Sequence, residues 1–309
     1  MEIDEVLAVK VETENGETHT WPSVDRLREL VNRIGDRGDQ FLVVQRIPDI
    51  PDVFAQVWHG GGRDYRFEHR ESRDRFFGTT LTAPHLAADA MVGWARQADG
   101  WDAAIAWAPV DVDPPQEVPE LPGEVREELE ELVRGLLRCG YDDRATLAQD
   151  AEEYLVEGDE RPVSGAQARQ LVDRLWLERL DQQEGWSAPT DPDRLTTAFA
   201  ALDRAGIVAR ENFTCCRSCG MSEIGAEAAD HGSARGFVFF HAQCTSSAAD
   251  GHGLTLYYGG FDGSEETTGG VGHEVVAALG AAGLPTDWDG SPAQAITVTP
   301  LDWRKRLQG

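Results

Sequence analysis

The proline-rich segment DVDPPQEVPELPG, residues 111–123, constrains the fold of this chain more than any other feature. Each proline removes a backbone N–H donor and fixes φ, so the segment cannot join the interior of a sheet and should be extended. It also contains no cationic residue. We therefore predict an N-terminal domain at residues 1–112, a linker at 113–123 and a second unit at 124–309.

The N-terminal unit shows the pattern of an α+β domain. Asn15-Gly16 lies between two β-like runs and predicts a tight hairpin, because this dipeptide readily takes positive φ angles. Ser23 is placed to cap a helix whose apolar residues recur at helical spacing. Three or four short β runs follow between residues 41 and 81, then a helix from Pro84 through Gln97 and a last strand within 105–110. We predict a largely antiparallel sheet with helices on one face.

The second unit changes character along its length. Four helical stretches lie between residues 124 and 206, each ending near Gly or Pro, and they predict a helical subdomain. In the tail, FVFFHAQ, LTLYYGG and AITVTPL predict strands, and VGHEVVAALGAAG predicts a helix. Gly269, Gly270 and Gly272 are expected to precede that helix, but they match no common nucleotide-binding fingerprint. The tail is predicted to form a small α+β domain.

The chain is strongly acidic, with a formal net charge of −27. Nucleic acids and anionic membranes carry the same sign and would be repelled, so neither is an expected partner. No apolar run of membrane-spanning length occurs, and the acidic start differs from a signal peptide. The 5 cysteines are an odd number, which favours a reducing compartment over a disulfide framework. We predict a cytoplasmic protein.

The densest chemical feature is a group of cysteines and one histidine in the tail. The sequence NFTCCRSCGM predicts a helix that begins near Cys219 or Gly220, which places thiols at its positive dipole end, where thiolates are favoured. FVFFHAQC then places His241 and Cys244 at the end of a strand. Cys216, Cys219, His241 and Cys244 form C-x2-C and H-x2-C pairs, a donor set that suits tetrahedral structural zinc.

The same residues allow other interpretations. Cys216 or Cys219 could act as a nucleophile with His241 as base, giving a Cys-His hydrolase or transferase in which Gln243 or Asp262 orients the imidazole. Cys216 and Cys219 could also form a redox dithiol. Free cysteine is commonly a small core residue, so the cluster could be purely structural. Because no complete catalytic set occurs, the sequence favours binding over catalysis.

The run RDYRFEHRESRDRFF concentrates arginines in an otherwise acidic chain. Strand alternation places Arg66, Glu68 and Arg70 on one face, and His69 with its aromatic neighbours on the other. A partner could dock on the charged face. Neighbouring acidic residues can instead neutralise the arginines as exposed cross-strand pairs, which stabilise little.

Several separated blocks of the tail occur in the order found in a bacterial, mainly actinobacterial, family. They are GWSAPTDPDRLTTAFAALDRAGIVARENFTCCRSCG, GFVFFHAQ, LTLYYGG and LDWRKRL. Through them, roughly 40% of the chain resembles the family called domain of unknown function 6891. That family tends to carry Asp where this chain has Cys244, which leaves Cys216, Cys219 and His241 as the firmer part of the site. The resemblance implies kinship and no particular activity.

The N-terminal unit is similar to the first immunity-protein family of polymorphic toxin systems. The likeness lies in DQFLVVQRIP, FAQVW and DYRFEHR, with Trp94, Trp101 and Trp107. It implies a small α+β module that binds and blocks a toxin protein. With the acidic charge and the incomplete catalytic set, it predicts a cytoplasmic protein with a protein partner, toxin antagonism being the specific form. A Cys-His enzyme and a zinc-stabilised binding domain are the alternatives.

Overall fold

The Asn15-Gly16 turn forms as predicted and opens an antiparallel sheet. In the computed structural model, which describes residues 5–112, 117–232 and 234–307, Gly16 has a φ of 86°, which glycine adopts without steric cost. The strands are β1 Val9–Thr13, β2 Thr18–Thr20, β3 Phe41–Arg46, β4 Phe54–His59, β5 Tyr65–Ser72, β6 Arg75–Leu81 and β7 Ala108–Pro109. Their spatial order is β2-β1-β3-β4-β5-β6-β7.

Two helices, α1 (Val24–Arg33) and α2 (Pro84–Ala95), pack on one face of this sheet. The predicted cap of α1 is present, because the Ser23 hydroxyl accepts a hydrogen bond from the backbone N–H of Arg26 at 3.1 Å. The buried core beneath the helices includes Val11, Leu27, Leu30, Leu42, Val57, Phe67, Met91 and Trp94. The predicted α+β class, with helices on one face of an antiparallel sheet, is confirmed.

Two details of this unit differ from the prediction. The strand expected within 105–110 is only β7, because the chain is still in a turn at Ile105, whose N–H donates to the Asp102 carbonyl at 2.9 Å. On β5 the alternation is as predicted, and His69 faces the core. Glu68 lies on the opposite face but is also buried, which alternation alone could not indicate.

The middle of the chain forms four helices. They are α3 Gly123–Cys139, α4 Arg144–Glu153, α5 Gly165–Glu184 and α6 Asp191–Arg204. Ser164 and Gln167 form a capping box at the start of α5, and Thr190 and Asp193 form one at the start of α6, so two backbone donors are satisfied at each start. Of the predicted linker, residues 113–116 lie outside the described residues, and 117–122 form neither helix nor strand.

A polar contact joins the N-terminal sheet unit to these helices. Arg144, at the start of α4, donates to the carboxylate of Asp49 at 2.7 Å and to that of Asp173 at 2.5 Å. The indole N–H of Trp176 on α5 donates to the Asp49 carbonyl at 2.7 Å. Asp49 and Trp176 are buried, so the helices are held against the segment that follows β3.

The tail forms a second, smaller sheet. Its strands are β8 Ile207–Arg210, β9 Gly236–Phe239, β10 Leu254–Gly260, β11 Thr286–Asp287 and β12 Ile296–Val298, and its helices are α7 Arg217–Glu227, α8 Ala242–Ala249 and α9 Glu265–Ala281. The strand order is β11-β12-β10-β9-β8, with β8 and β9 parallel and the other neighbouring pairs antiparallel. The expected C-terminal α+β region is therefore present.

The start of α9 corrects the expectation for the glycine run. Ser264 caps the helix by accepting a hydrogen bond from the Thr267 backbone N–H at 3.1 Å, so α9 begins at Glu265. Gly269, Gly270 and Gly272 consequently lie inside the helix instead of before it. Their N–H groups are within the helical ladder and do not form a phosphate-binding loop.

Residues 301–307, which we call the C-terminal strap, run back over the helices. The indole N–H of Trp303 donates to the Arg138 carbonyl at the end of α3 at 3.2 Å. The backbone N–H of Leu307 donates to the Gln183 side chain of α5 at 2.7 Å. Leu307 is buried in the helical core with residues of α3, α4 and α5, so the strap ties the second sheet to the helical region.

Candidate functional site

Three thiols gather at the first turn of α7. The helix begins at Arg217, earlier than the predicted start, which makes Cys216 its N-cap residue and places Cys219 in its first turn. Cys215 directly precedes the cap. Because residues at the cap and three positions later face the same end of a helix, the chain brings these thiols together through local structure alone.

The cluster has the spacing of a soft-metal site. The Sγ atoms of Cys215 and Cys219 lie 3.6 Å apart, and the Sγ atoms of Cys215, Cys216 and Cys219 all lie within 4.8 Å of one another. Tetrahedral zinc with Zn–S distances of about 2.3 Å would hold its sulfurs roughly 3.8 Å apart. Cys215 is exposed and the other two are half-buried, so the cluster is reachable from solvent.

The thiols of Cys216 and Cys219 differ in acidity. The backbone amide of Cys219 holds the pKa of the Cys216 thiol below its ordinary value. The neighbouring thiols of Cys215 and Cys216 raise the pKa of Cys219 to about 11. Near neutral pH, Cys216 therefore forms a thiolate more easily than Cys219, and full deprotonation of Cys219 requires a bound cation.

His241 and Cys244 form a separate pair. The strand expected to carry both ends at Phe239 as β9, His241 is the N-cap of α8, and Cys244 lies in the first turn of that helix. The Nε2 atom of His241 lies 3.4 Å from the Cys244 Sγ. The expected placement at a strand end is therefore wrong, because the sequence AQCTSSAA turns into a helix directly after the histidine.

This pair is enclosed. His241 is 4% exposed and Cys244 is 6% exposed, and the imidazole stacks on the Tyr257 ring at a centroid distance of 5.4 Å. Burial lowers the pKa of His241 and raises the pKa of Cys244. Both groups are therefore favoured in their neutral forms at pH 7, which disfavours a thiolate–imidazolium nucleophile at Cys244.

The structure does not assemble the predicted catalytic arrangement into one hydrogen-bonded set. Within the described residues, no hydrogen bond joins His241 to Cys216 or Cys219, and the Nδ1 atom of His241 has no partner. Asp262, one proposed orienting residue, instead accepts hydrogen bonds from Ser264 and Thr267 at the start of α9. Gln243, the other, is exposed on α8.

The two parts are nevertheless neighbours through the backbone. The N–H of Phe213 donates to the Phe240 carbonyl at 2.7 Å, and the N–H of Ala242 donates to the Thr214 carbonyl at 3.1 Å. The loop that delivers the thiols is therefore fastened to the start of α8. Sequence reasoning missed Cys215, because the helix start that brings Cys215 into the cluster was placed too late.

Comparison with known families bears on this half of the chain. Residues 122–307 match the family model described as a domain of unknown function, DUF6891. The chain belongs to the DUF6891 family. The DUF6891 match includes the four middle helices, the thiol cluster and the C-terminal strap, so it extends upstream of the blocks that carried the resemblance. The seven-stranded sheet lies outside this DUF6891 region.

The remaining comparisons add no further relative of this DUF6891 protein. No curated protein and no solved structure matches the chain. Across the described residues, no helix is both long and apolar enough to span a bilayer.

Proposed function

We propose that this DUF6891 protein is a zinc-binding protein that acts in the cytoplasm, where its thiols stay reduced. The observation that carries the proposal is the convergence of the Cys215, Cys216 and Cys219 sulfurs within 4.8 Å of one another. Thiolate donors favour zinc and other soft ions over magnesium or calcium. The lowered pKa of Cys216 supplies one thiolate to start binding.

Three protein ligands leave one position of a tetrahedral ion for a further donor. His241 is the predicted ligand whose backbone neighbours the thiol loop, and its buried Nδ1 atom has no partner in the part of the chain that the structure describes. A closed four-ligand site would be structural, whereas an open position would admit water or a ligand. The proposal therefore takes Cys215, Cys216 and Cys219 as the core of the site and tests His241 and Cys244 as additions.

Elemental analysis of the full chain, purified under reducing conditions, tests the zinc proposal. We expect about one zinc per chain, and Cys215→Ser, Cys216→Ser and Cys219→Ser should each lose most of it. Cys139→Ser is the matched control, since Cys139 is a free thiol outside the cluster. His241→Gln and Cys244→Ser lose zinc only if the predicted ligands close the site. Zinc well below one per chain, or equal loss in Cys139→Ser, would overturn the proposal.

A second candidate function is binding of a protein partner, with toxin antagonism as the form that the N-terminal resemblance implies. One observation favours it: Phe41 and Trp58 are cross-strand neighbours, and both are unusually exposed for large aromatic side chains. Exposed aromatic groups of this kind are enriched at binding hot spots. The net charge of −27 would steer a cationic partner toward the chain.

Cross-linking in native lysate followed by co-purification of the full chain tests this second function. We expect a stable protein partner, and a chain carrying both Phe41→Ala and Trp58→Ala should retain less of it. If no protein is retained reproducibly, the interaction function fails. The zinc proposal is unaffected by that result.

A further inference from the structure

A pocket lies on the outer face of the N-terminal sheet, opposite α1 and α2. The sheet register places Phe41, Trp58 and Arg66 side by side on β3, β4 and β5, and it pairs Gln56 with Glu68 in the adjacent row. These side chains line a cavity of about 550 Å³. Phe41 is 39% exposed and Trp58 is 46% exposed, so the aromatic walls of the pocket are open to solvent.

The floor of the pocket is a buried carboxylate. Glu68 is 6% exposed, and the Gln56 side-chain amide donates to its Oε2 atom at 2.5 Å. Gly78 of β6 lies opposite Glu68 of β5. Because Gly78 has no side chain, it leaves room for Glu68, whereas an added Cβ would come within 3.3 Å of the Glu68 Cγ. Buried carboxylates are costly unless paired, and the Gln56 amide supplies part of that pairing for Glu68.

The Trp58 wall is held in place by the end of β4. An added Cβ on Gly60 would lie 2.5 Å from the Trp58 ring, which means that the outer edge of the ring contacts this glycine. A wall already fixed in position loses little conformational freedom when a ligand contacts it. The pocket is therefore largely formed before a partner arrives.

The contact between the Arg66 guanidinium and the Glu68 carboxylate indicates that the pocket accepts a cationic group. Its Nε atom lies 2.6 Å from the Glu68 Oε1, and its side chain is 65% exposed. Among the described residues, however, that Oε1 atom has no well-aligned hydrogen-bond donor. Because the Arg66 side chain is largely exposed and its contact with Glu68 is poorly aligned, a better-aligned cation from outside could replace the Arg66 guanidinium.

We infer that this pocket binds an arginine or lysine side chain on a basic segment of a partner protein, in exchange for Arg66. The inference rests on the interaction function proposed above. The Trp58 and Phe41 faces attract a cation through their ring quadrupoles, and Glu68 offers a charge-assisted hydrogen bond. The strongly negative chain raises the local concentration of such a segment.

Fluorescence anisotropy with the full chain and defined peptides tests this inference. The probe is a fluorescein-labelled nonapeptide of alternating glycine and arginine, and its control replaces arginine with citrulline, which has the same shape without the charge. We expect the arginine peptide to bind at least about tenfold more tightly, and Trp58→Ala to weaken it about tenfold. Trp21→Ala is the matched control, since Trp21 is 44% exposed outside the pocket.

The direction of the Arg66→Ala effect on peptide affinity distinguishes two cases. In one, the peptide displaces Arg66, and in the other, Arg66 itself contacts the peptide. Removing the internal competitor should tighten peptide binding severalfold, whereas an arginine that contacts the partner would weaken binding when lost. Arg75→Ala is the control for charge, because the Arg75 side chain is also 65% exposed and pairs with Glu71 at 2.7 Å. Glu68→Gln should weaken binding. If that variant misfolds, the exposed positions Trp58 and Phe41 still decide the question.

Any of three results would overturn the inference that the pocket binds a cationic side chain. They are equal binding of the two peptides, equal effects of Trp58→Ala and Trp21→Ala, and weaker binding in Arg66→Ala. These outcomes are distinguishable from failure of the interaction function. A lysate partner retained equally by the wild type and the Trp58→Ala variant keeps that function and rejects only the pocket. Peptide binding as expected, without any lysate partner, supports the pocket.

Discussion

The ammonium group of Lys305 lies 3.1 Å from a carboxylate oxygen of Glu211, and both side chains are largely buried. Tyr141 donates a hydrogen bond to the same oxygen at 2.7 Å. Removing one partner leaves a buried charge without compensation, so Lys305→Met should lower the free energy of unfolding by about 3–5 kcal/mol. Urea denaturation of the full chain measures this change.

The neighbouring Arg304 provides the control. It pairs with Asp302 at 3.0 Å, and both side chains are at least half exposed. Arg304→Ala should therefore change the free energy of unfolding by at most about 1 kcal/mol. A Lys305→Met effect no larger than this would contradict the view that the strap is anchored by a buried ion pair.

Gly220 on α7 offers a second prediction, because an added Cβ would collide with the ring of Phe239 on β9. Gly220→Ala should destabilise the protein by about 1–3 kcal/mol through overpacking. The shift of α7 away from the sheet should also weaken zinc binding by moving Cys216 and Cys219. Denaturation and zinc titration with a competing chelator measure the two effects.

Gly225 is the matched control on the same helix, because no atom of the described residues lies within 4 Å of an added Cβ. Gly225→Ala should stabilise the chain by up to about 1 kcal/mol, because alanine has the higher helix propensity. If both substitutions changed the free energy of unfolding in the same direction and to the same extent, this would contradict the close packing of Gly220 on Phe239.

Stability should fall on acidification in part because of His69. Its ring lies between Trp101 and Trp107, at centroid distances of 5.1 and 4.4 Å, and burial lowers its pKa. The unfolded chain therefore takes up the proton first as pH falls. The contribution of neutral His69 is complete above about pH 6.5 and is lost as the pH falls through the lowered folded value.

His69→Phe should accordingly lose less stability than the wild type between about pH 7.5 and pH 5.5. Urea midpoints at the two pH values measure the difference. His85→Gln, at an exposed position on α2, should follow the wild-type pH dependence. Parallel curves for His69→Phe and the wild type would show that His69 does not contribute, and His241, whose pKa is also lowered, would remain as a source.

Alkylation should distinguish the thiols of the metal-free protein. At neutral pH we expect iodoacetamide to modify Cys216 faster than Cys219, because the pKa of Cys216 is lowered and that of Cys219 is raised to about 11. Buried Cys244 should react more slowly than Cys216. Trypsin cleavage after Arg217 leaves Cys215 and Cys216 on one peptide and Cys219 on the next, so fragment ions of the first peptide assign the label to Cys216. Faster labelling of the Cys219 peptide would contradict this order.

The helices and strands whose ends carry local signals could be predicted from the sequence. Ser23 caps α1 as expected, and the strand runs between Phe41 and Leu81 appear close to their predicted bounds. For α9, the glycine run predicts a later helix start, whereas the cap signal at Ser264 marks the start that the structure shows. Glycine inside a helix is unfavourable by itself, but burial of Val271 and Val275 against the sheet compensates.

The candidate site was predictable only in part. The pattern C-x2-C predicts that Cys216 and Cys219 act together, and the structure places their thiols close to one another, but sequence spacing cannot say which of two adjacent cysteines turns toward them. The start of α7 at Arg217 decides that, and it brings in Cys215. The burial of Glu68 could not be predicted from the sequence either, because it depends on the cross-strand partner Gln56 and on the room left by Gly78.

The C-terminal strap has a consequence for how the chain matures. Helices α3, α4 and α5 are synthesised long before Leu307, yet Leu307 is part of their core. Domains tend to fold as they emerge from the ribosome, but the core of this helical bundle cannot be completed until the strap has been synthesised. Until then, the apolar surface of α3, α4 and α5 that Leu307 covers stays open to other contacts.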